Sequence, residues 1–155
     1  MDTLNFQVEI EKICREISDI TKEQPMAFAT SVKDIVSVRN VTAVVHGHRI
    51  YFQTDERMEK VSQIKENDNV GLCVENYQIR GVAKIMGPWG RNKEIIMEYK
   101  KNHEAAYAKY SAVKTEVVVG VDILWIKKWE FIDGLSYILF LDNQNKSAKR
   151  EKVDF

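Results

Sequence analysis

Arg39 lies in IVSVRNVTAVVH, a run of strand-forming residues at 35–46, and Lys60 follows six residues after Thr54, the last residue of IYFQT. An arginine from a strand, a threonine hydroxyl and a lysine in the first turns of a following helix could converge on an anion such as phosphate. They would offer it a guanidinium fork, a hydroxyl, a point charge and helix N-terminal amides. The same spacing also allows a plainer outcome, in which Arg39 and Lys60 are surface charges paired to Glu59 or Asp55. The sequence leaves both open.

Other chemistry has less footing. No GxGxxG follows a strand and no GxxxxGK[ST] occurs, so a nucleotide would need a different grip. His46 and His48 have the period that places two imidazoles on one face of a strand, but they flank Gly47 in an apparent turn without a third ligand near, so no metal site is expected. Cys14 and Cys73 lie far apart with no CxxC, and neither has a neighbouring histidine, which removes zinc, dithiol and cysteine-nucleophile chemistry; both read as buried packing thiols. No GxSxG elbow occurs. Trp125, Trp129 and Phe131 alternate along one strand, which points to barrel core or a dimer interface rather than base stacking.

These side chains must be held by short strands. Phe6, Ile10, Ile13, Cys14, Ile17 and Ile20 recur at helical spacing, predicting an amphipathic helix over 5–22 that Pro25 ends. Strands are predicted over 26–31, 35–46 and 49–54, separated by turns at Lys33–Asp34 and His46–His48. A helix over 55–66, with Met58, Val61 and Ile64 on one face, crosses to strands over 70–76 and 77–86. A helical pair over 88–110 interrupts the β texture, which returns at 116–131, bending through Gly120, and at 136–141 after the Asp133–Gly134 turn. The expected fold is mainly β: a split barrel of six to seven antiparallel strands, with an N-terminal helix (1–24), a helical pair between late strands, and a polar tail from 142 to 155 without fixed structure.

Composition sets outer limits. The 155 residues suit one domain, and 23 basic against 23 acidic residues give zero net charge, so no global field favours nucleic acid or an anionic membrane. The basic run NKSAKREK at 145–152 is short enough to be a solvated tail. No apolar run approaches the roughly 20 residues of a membrane span, and the charged amphipathic N-terminus is unlike an export signal, so a soluble, cytoplasmic protein is expected.

From Ala27 to Ile85 the chain carries AFATS, SVRNV, a hairpin into IYFQT, a lysine six residues on, SQIKENDNVGL and YQIRGVAKI. This run resembles the pyridoxamine 5′-phosphate oxidase-like, FMN-binding split-barrel family, and within it the general-stress and nitroimidazole-resistance-like branches; KKWEFIDG extends the likeness toward the C-terminus. The resemblance implies that Arg39 and Lys60 bind the phosphate of flavin mononucleotide (FMN) and that Thr54 lies beside the phosphate and ribityl chain. It sets the backbone of Val38, Arg39, Asn40 and Val41 along the isoalloxazine ring, with Gln53 near the ring edge. It further implies a homodimer with FMN at the subunit interface, where Gln78 and a tryptophan, Trp129 or Trp89, reach the partner's flavin. Met58 and Glu59 stand where many members have a serine and often an arginine, which should weaken the grip on phosphate. The C-terminal substrate motif of true pyridoxamine phosphate oxidases is not recognisable, so that reaction is not expected. What the resemblance implies is a flavin-dependent oxidoreductase of unassigned small-molecule substrate, with NADH or NADPH as possible electron donor. The alternatives are a flavin-binding or storage protein without turnover, a haem-binding barrel using His46, His48 or His103, and a plain barrel used for protein contacts.

Overall fold

The structure is a computed structural model that describes residues 2–155. Its elements, in chain order, are β1 (Asp2–Leu4), α1 (Phe6–Glu23), β2 (Met26–Val32), β3 (Ile35–Val41), β4 (Ala43–His46), β5 (Arg49–Asp55), α2 (Glu59–Glu66), β6 (Asn69–Val74) and β7 (Tyr77–Pro88). A short 3-10 turn at Trp89–Arg91 leads into α3 (Lys93–Asn102), α4 (Glu104–Tyr110), β8 (Glu116–Ile132), β9 (Leu135–Asp142) and β10 (Ser147–Lys152). The three predicted hairpin turns form at Lys33–Asp34, Gly47–His48 and Asp133–Gly134. Both central residues of each have positive φ, the geometry that lets a two-residue loop follow the right-handed strand twist.

The mainly β reading holds, and all pairings are antiparallel. The predicted strand 35–46 is broken at Thr42, because its first half pairs with β2 and its second half with β5. Counting β3 and β4 as one bent strand, the pairings β2–β6, β6–β7, β7–β8, β8–β5 and β5–β4 close a six-stranded barrel. β8 is long enough to serve two neighbours along one edge: residues 116–122 pair with β5, residues 125–132 with β9. There the barrel splits, and β9, β10 and β1 continue as a flap. The β7–β8 ladder is irregular at Leu124 and again at Met86–Gly87 rather than at Gly120; Asn143 meets the carbonyls at the first of these, its backbone N–H donating to Leu124 O at 2.9 Å and Nδ2 to Ile123 O at 2.7 Å. Gly120 has another task, since a Cβ there would meet the Tyr51 ring at 3.1 Å.

Among the described residues ten strands form against the six or seven expected: β1 and β10 are additional, and the predicted 35–46 divides into β3 and β4. Residues 147–152 are not a solvated tail: they pair with β9 on one side and β1 on the other. Only Ala148 of SAKREK is buried, so hydrophobic periodicity had almost nothing to register, while ladder hydrogen bonds and the Arg150–Glu130 pair at 2.9 Å hold the strand.

Strand alternation divides the apolar residues between two clusters. Phe28, Ile50, Phe52, Leu72, Ile79, Val119 and Val121 fill the barrel, with Phe28 and Phe52 edge to face at 4.8 Å, and α1 lays Phe6, Ile10, Ile13, Cys14 and Ile17 over it. Val44, Tyr51 and Val118 point the other way and are covered by Trp89, Ile95 and Tyr99 of the helical insertion. Three expectations fail at the surface. Cys73 is exposed, because Leu72 and Val74 take the inward positions of β6. Met58 precedes α2 and is 51% exposed, leaving Val61 and Ile64 as the buried face. Of the two alternatives for Trp125, Trp129 and Phe131, barrel core or dimer interface, the core fails, since Ile123 and Ile126 face inward on either side of the Leu124 irregularity. No helix among the described residues is long and apolar enough to cross a membrane.

Candidate functional site

Arg39 sits opposite Phe28 in the β2–β3 ladder, on the face turned toward α2. Its guanidinium donates from Nη1 to Thr30 Oγ1 at 2.9 Å and to Phe28 O at 3.4 Å, and from Nη2 to Gln63 Oε1 at 2.6 Å. Gln63, on α2, also accepts from the Thr30 hydroxyl at 2.6 Å and donates to Glu59 Oε1 at 2.8 Å and Ser37 Oγ at 3.3 Å. Lys60, one turn earlier on the same helix, donates to Thr54 Oγ1 at 3.0 Å. The fold thus gathers Arg39, Thr54 and Lys60 from three elements, and Thr54 is buried.

The two carboxylates that offered a plain ion-pair reading are engaged elsewhere. Asp55 is gripped by Arg57 at 2.7 Å and by the Thr115 hydroxyl at 2.9 Å, which holds its carboxyl well below the usual range. Glu59 accepts from Gln63 and helps Arg39 keep its proton, without an ion pair to it. Partial burial lowers the basicity of both cations, and Arg39 lowers that of Lys60 further, against the pull of Glu116 and Asp55. Arg39 and Lys60 are part-buried, hydrogen-bonded to neutral oxygens and close enough to repel, with Glu59, Glu116 and Asp55 acting on them; an anion bound between them would relieve that repulsion.

Glu116 is the residue that sequence reasoning missed. It is 6% exposed at the start of β8, and its carboxyl is pushed up first by burial and then by Asp55, against Gln53 and Lys60. The Gln53 Nε2 is buried against this carboxyl without a hydrogen bond of acceptable geometry. Because the folded state binds the Glu116 proton more tightly than the unfolded chain does, stability falls as pH rises from the unfolded carboxyl value through the raised folded one. Glu116→Gln is therefore expected to raise the melting temperature at pH 7 and to reduce the loss between pH 4 and pH 7; thermal melts at the two pH values check it. Thr30 and Gln63 were also missed. An ordinary threonine in AFATS and a glutamine on an exposed helix turn carry no signal until the sheet and α2 meet.

The other expected residues fall in distinct places. Val41 is buried in the core, while Val38 and Asn40 alternate to the outer face and are exposed. Val38 and Gln78 line one shallow outer groove of about 240 Å³ floored by Ala27, Ala29, Gly71 and Cys73. Trp129 is near the far end of β8, 40% exposed, and is not brought to Arg39 or Lys60 within this chain; its backbone pairs with Asn76. Trp89 is buried, edge to face with Tyr99 at 5.3 Å, so of the two tryptophans only Trp129 is free to meet a partner. His46 contacts Glu94 at 3.2 Å and Glu98 at 3.7 Å, and His103 meets Ala43 O at 2.8 Å. No group of three or more metal-ligating side chains occurs among the described residues.

By sequence the chain matches no protein-family model and no curated protein. By structure it is similar to a pyridoxamine 5′-phosphate oxidase-related, FMN-binding protein of Nostoc punctiforme, with a TM-score of 0.63 and 11% identity over 100% of both chains. It is also similar to General Stress Protein 26 of Bacillus anthracis, with a TM-score of 0.61 and 15% identity over 84% of this chain and 98% of that one. A NimC/NimA family protein of Clostridium acetobutylicum gives a TM-score of 0.58 and 12% identity, over 90% and 93% respectively. The closed six-strand circuit, the split at β8 and these likenesses together give the chain the split-barrel fold of the pyridoxamine 5′-phosphate oxidase-related proteins.

Proposed function

We propose that this chain binds FMN through Arg39, Thr54 and Lys60 and works as an FMN-dependent oxidoreductase in a homodimer. The observation that carries the reading is that the fold brings Arg39 within electrostatic reach of Lys60, and Lys60 onto Thr54, while the nearby carboxylates Asp55 and Glu59 are held by Arg57 and Gln63. The donor set fits a phosphate: a guanidinium fork, an ammonium and a hydroxyl, with α2 beginning at a Met58 whose side chain offers no capping acceptor. Gln63 bridges Arg39 and Glu59, so this carboxylate stays within electrostatic reach of Arg39 without pairing with it. When bound, FMN would supply hydride or single-electron transfer at its ring. The chain's part is to fix the phosphate at Arg39 and Lys60, orient the ribityl end at Thr54 and lay the β3 backbone from Val38 to Val41 along the ring, with Gln53 at the ring edge.

The same arrangement supports a dimer. Val36 and Val38 are 69% and 67% exposed on the strand that carries Arg39, and Trp129 and Gln78 stand on the outer face, where a second copy would cover them and they could reach its flavin. Light scattering is expected to give about 36 kDa, twice the 18.0 kDa chain. Oxidation of NADH or NADPH by the FMN-loaded protein, at a rate above that of free FMN, separates an oxidoreductase from a flavin-storage protein. Among the described residues, no histidine is a hydrogen-bond partner of Arg39, Thr54 or Lys60 to favour haem there.

Thr54→Ser is expected to keep FMN affinity within a few-fold, because the hydroxyl remains. Thr54→Val leaves Lys60 and a ligand oxygen short of a partner, at a cost of about 1–3 kcal/mol. Calorimetric titration of both variants checks this, and equal affinity for the valine variant and the wild type would take Thr54 out of the site.

A further inference from the structure

A second site lies on the flap, away from the Arg39–Lys60 cleft. Lys127 on β8, Phe140 on β9 and Lys149 on β10 are direct cross-strand neighbours in one row. Both ammonium groups lean over the same ring, Lys127 at 5.9 Å and Lys149 at 5.6 Å from the Phe140 centroid, and Lys127 is also 5.0 Å from the Trp125 ring. Trp125 and Phe140 lie 6.0 Å apart and are inclined at 46°, so their faces are not spent on stacking against each other. The row opens onto a groove of about 560 Å³ whose apolar walls come from Ile138 and Val153.

Nearby charges do not neutralise this row. Asp142 is committed to the amides of its own turn, accepting from Gln144 and Asn145. Asp154 pairs with Lys152 at 3.5 Å. Glu130 alternates to the opposite face of β8, where it meets Lys128 and Arg150. Glu151 is the remaining carboxylate on the groove, against Lys127, Lys149 and the exposed Arg80 opposite Trp125. Like charges flanking one residue in adjacent strands disfavour the sheet, and cation–π contact with Phe140 offsets that only in part. An anion between the two ammonium groups removes the repulsion, and an aromatic one also meets the apolar walls of the groove.

We infer that this groove binds a planar aromatic carboxylate, its anionic group between Lys127 and Lys149 and its ring against Phe140 and the apolar walls of Ile138 and Val153. None of these residues belongs to the proposed flavin site, so the inference stands apart from the FMN reading. Titrating 2-naphthoate into the FMN-saturated protein by calorimetry tests it. Saturable binding at one per chain is expected, with the uncharged 2-naphthalenemethanol and the non-aromatic cyclohexanecarboxylate each at least about tenfold weaker. Lys127→Met and Lys149→Met are expected to weaken 2-naphthoate about tenfold each, and Lys127→Arg and Lys149→Arg to retain it; circular dichroism confirms that the variants fold. Absence of saturable binding, equal binding of the alcohol, or methionine variants with unchanged affinity would each overturn the inference. So would 2-naphthoate that binds the FMN-free protein but is displaced by FMN, since the anion would then occupy the Arg39–Lys60 cleft. A shift of the dimer equilibrium in the methionine variants without any ligand effect would assign the row to the subunit interface instead.

Discussion

Lys60→Ala is expected to weaken FMN roughly tenfold to hundredfold, and Arg39→Ala at least as much, while riboflavin affinity stays nearly constant in both. A charge-assisted contact is worth about 1.5–3 kcal/mol, and the planar fork of Arg39 can hold two phosphate oxygens where the Lys60 ammonium acts as a point charge. Riboflavin separates recognition from damage because it keeps the ring and ribityl chain and lacks the phosphate. The structure adds a reason to expect a clean result. Without Arg39, the Thr30 hydroxyl still donates to Gln63 Oε1 at 2.6 Å, so β2 and α2 remain joined. Parallel loss of FMN and riboflavin would mean a disturbed barrel, and no loss of either would put the phosphate elsewhere.

The largest stability effect is expected at Tyr99, which fastens the helical insertion to the strands behind the site. Its ring is 1% exposed, packed edge to face on Trp89. Its hydroxyl accepts from the Gln53 N–H at 2.8 Å and donates to the Thr42 carbonyl, at the point where β3 passes into β4. Burial pushes the phenol well above its ordinary range, so it remains a donor at any working pH. Tyr99→Phe keeps the packing and leaves both backbone groups without this partner, a loss of about 1–3 kcal/mol. Tyr99→Ala also opens a cavity, for a total of about 3–5 kcal/mol. Denaturant unfolding of the two variants measures both values. The phenylalanine variant is further expected to weaken FMN by a few-fold, because Gln53 and Thr54 lose an anchor; unchanged stability would show that the hydroxyl carries no load.

What could be read from sequence followed the strength of each periodic signal. The α1 stripe of Phe6, Ile10, Ile13 and Ile17, the three hairpin turns and the helix between β5 and β6 were legible, because an apolar stripe or a turn residue at a required positive φ marks each. β10 was not, since one buried Ala148 among five polar residues leaves no pattern and its partners lie at opposite ends of the chain. The break at Thr42 was hidden for a related reason: both halves of 35–46 suit a strand, and only the choice of neighbours divides them. At the site, Arg39 was visible as a cation among apolar strand residues, and Lys60 by its place six residues past Thr54 at the start of a helix. Gln63, which joins Arg39 and Thr30 to α2, and Glu116, buried beside Gln53, were not, because each matters only through contacts made across elements.

The most direct measurement is a titration of FMN into the purified protein at micromolar concentration, followed by the visible flavin spectrum and by light scattering on the same samples. The account predicts a perturbed flavin absorption that saturates at one FMN per chain, in a particle of about 36 kDa, twice the 18.0 kDa chain. A flavin spectrum unchanged from that of free FMN, with no saturation up to millimolar ligand, would contradict it.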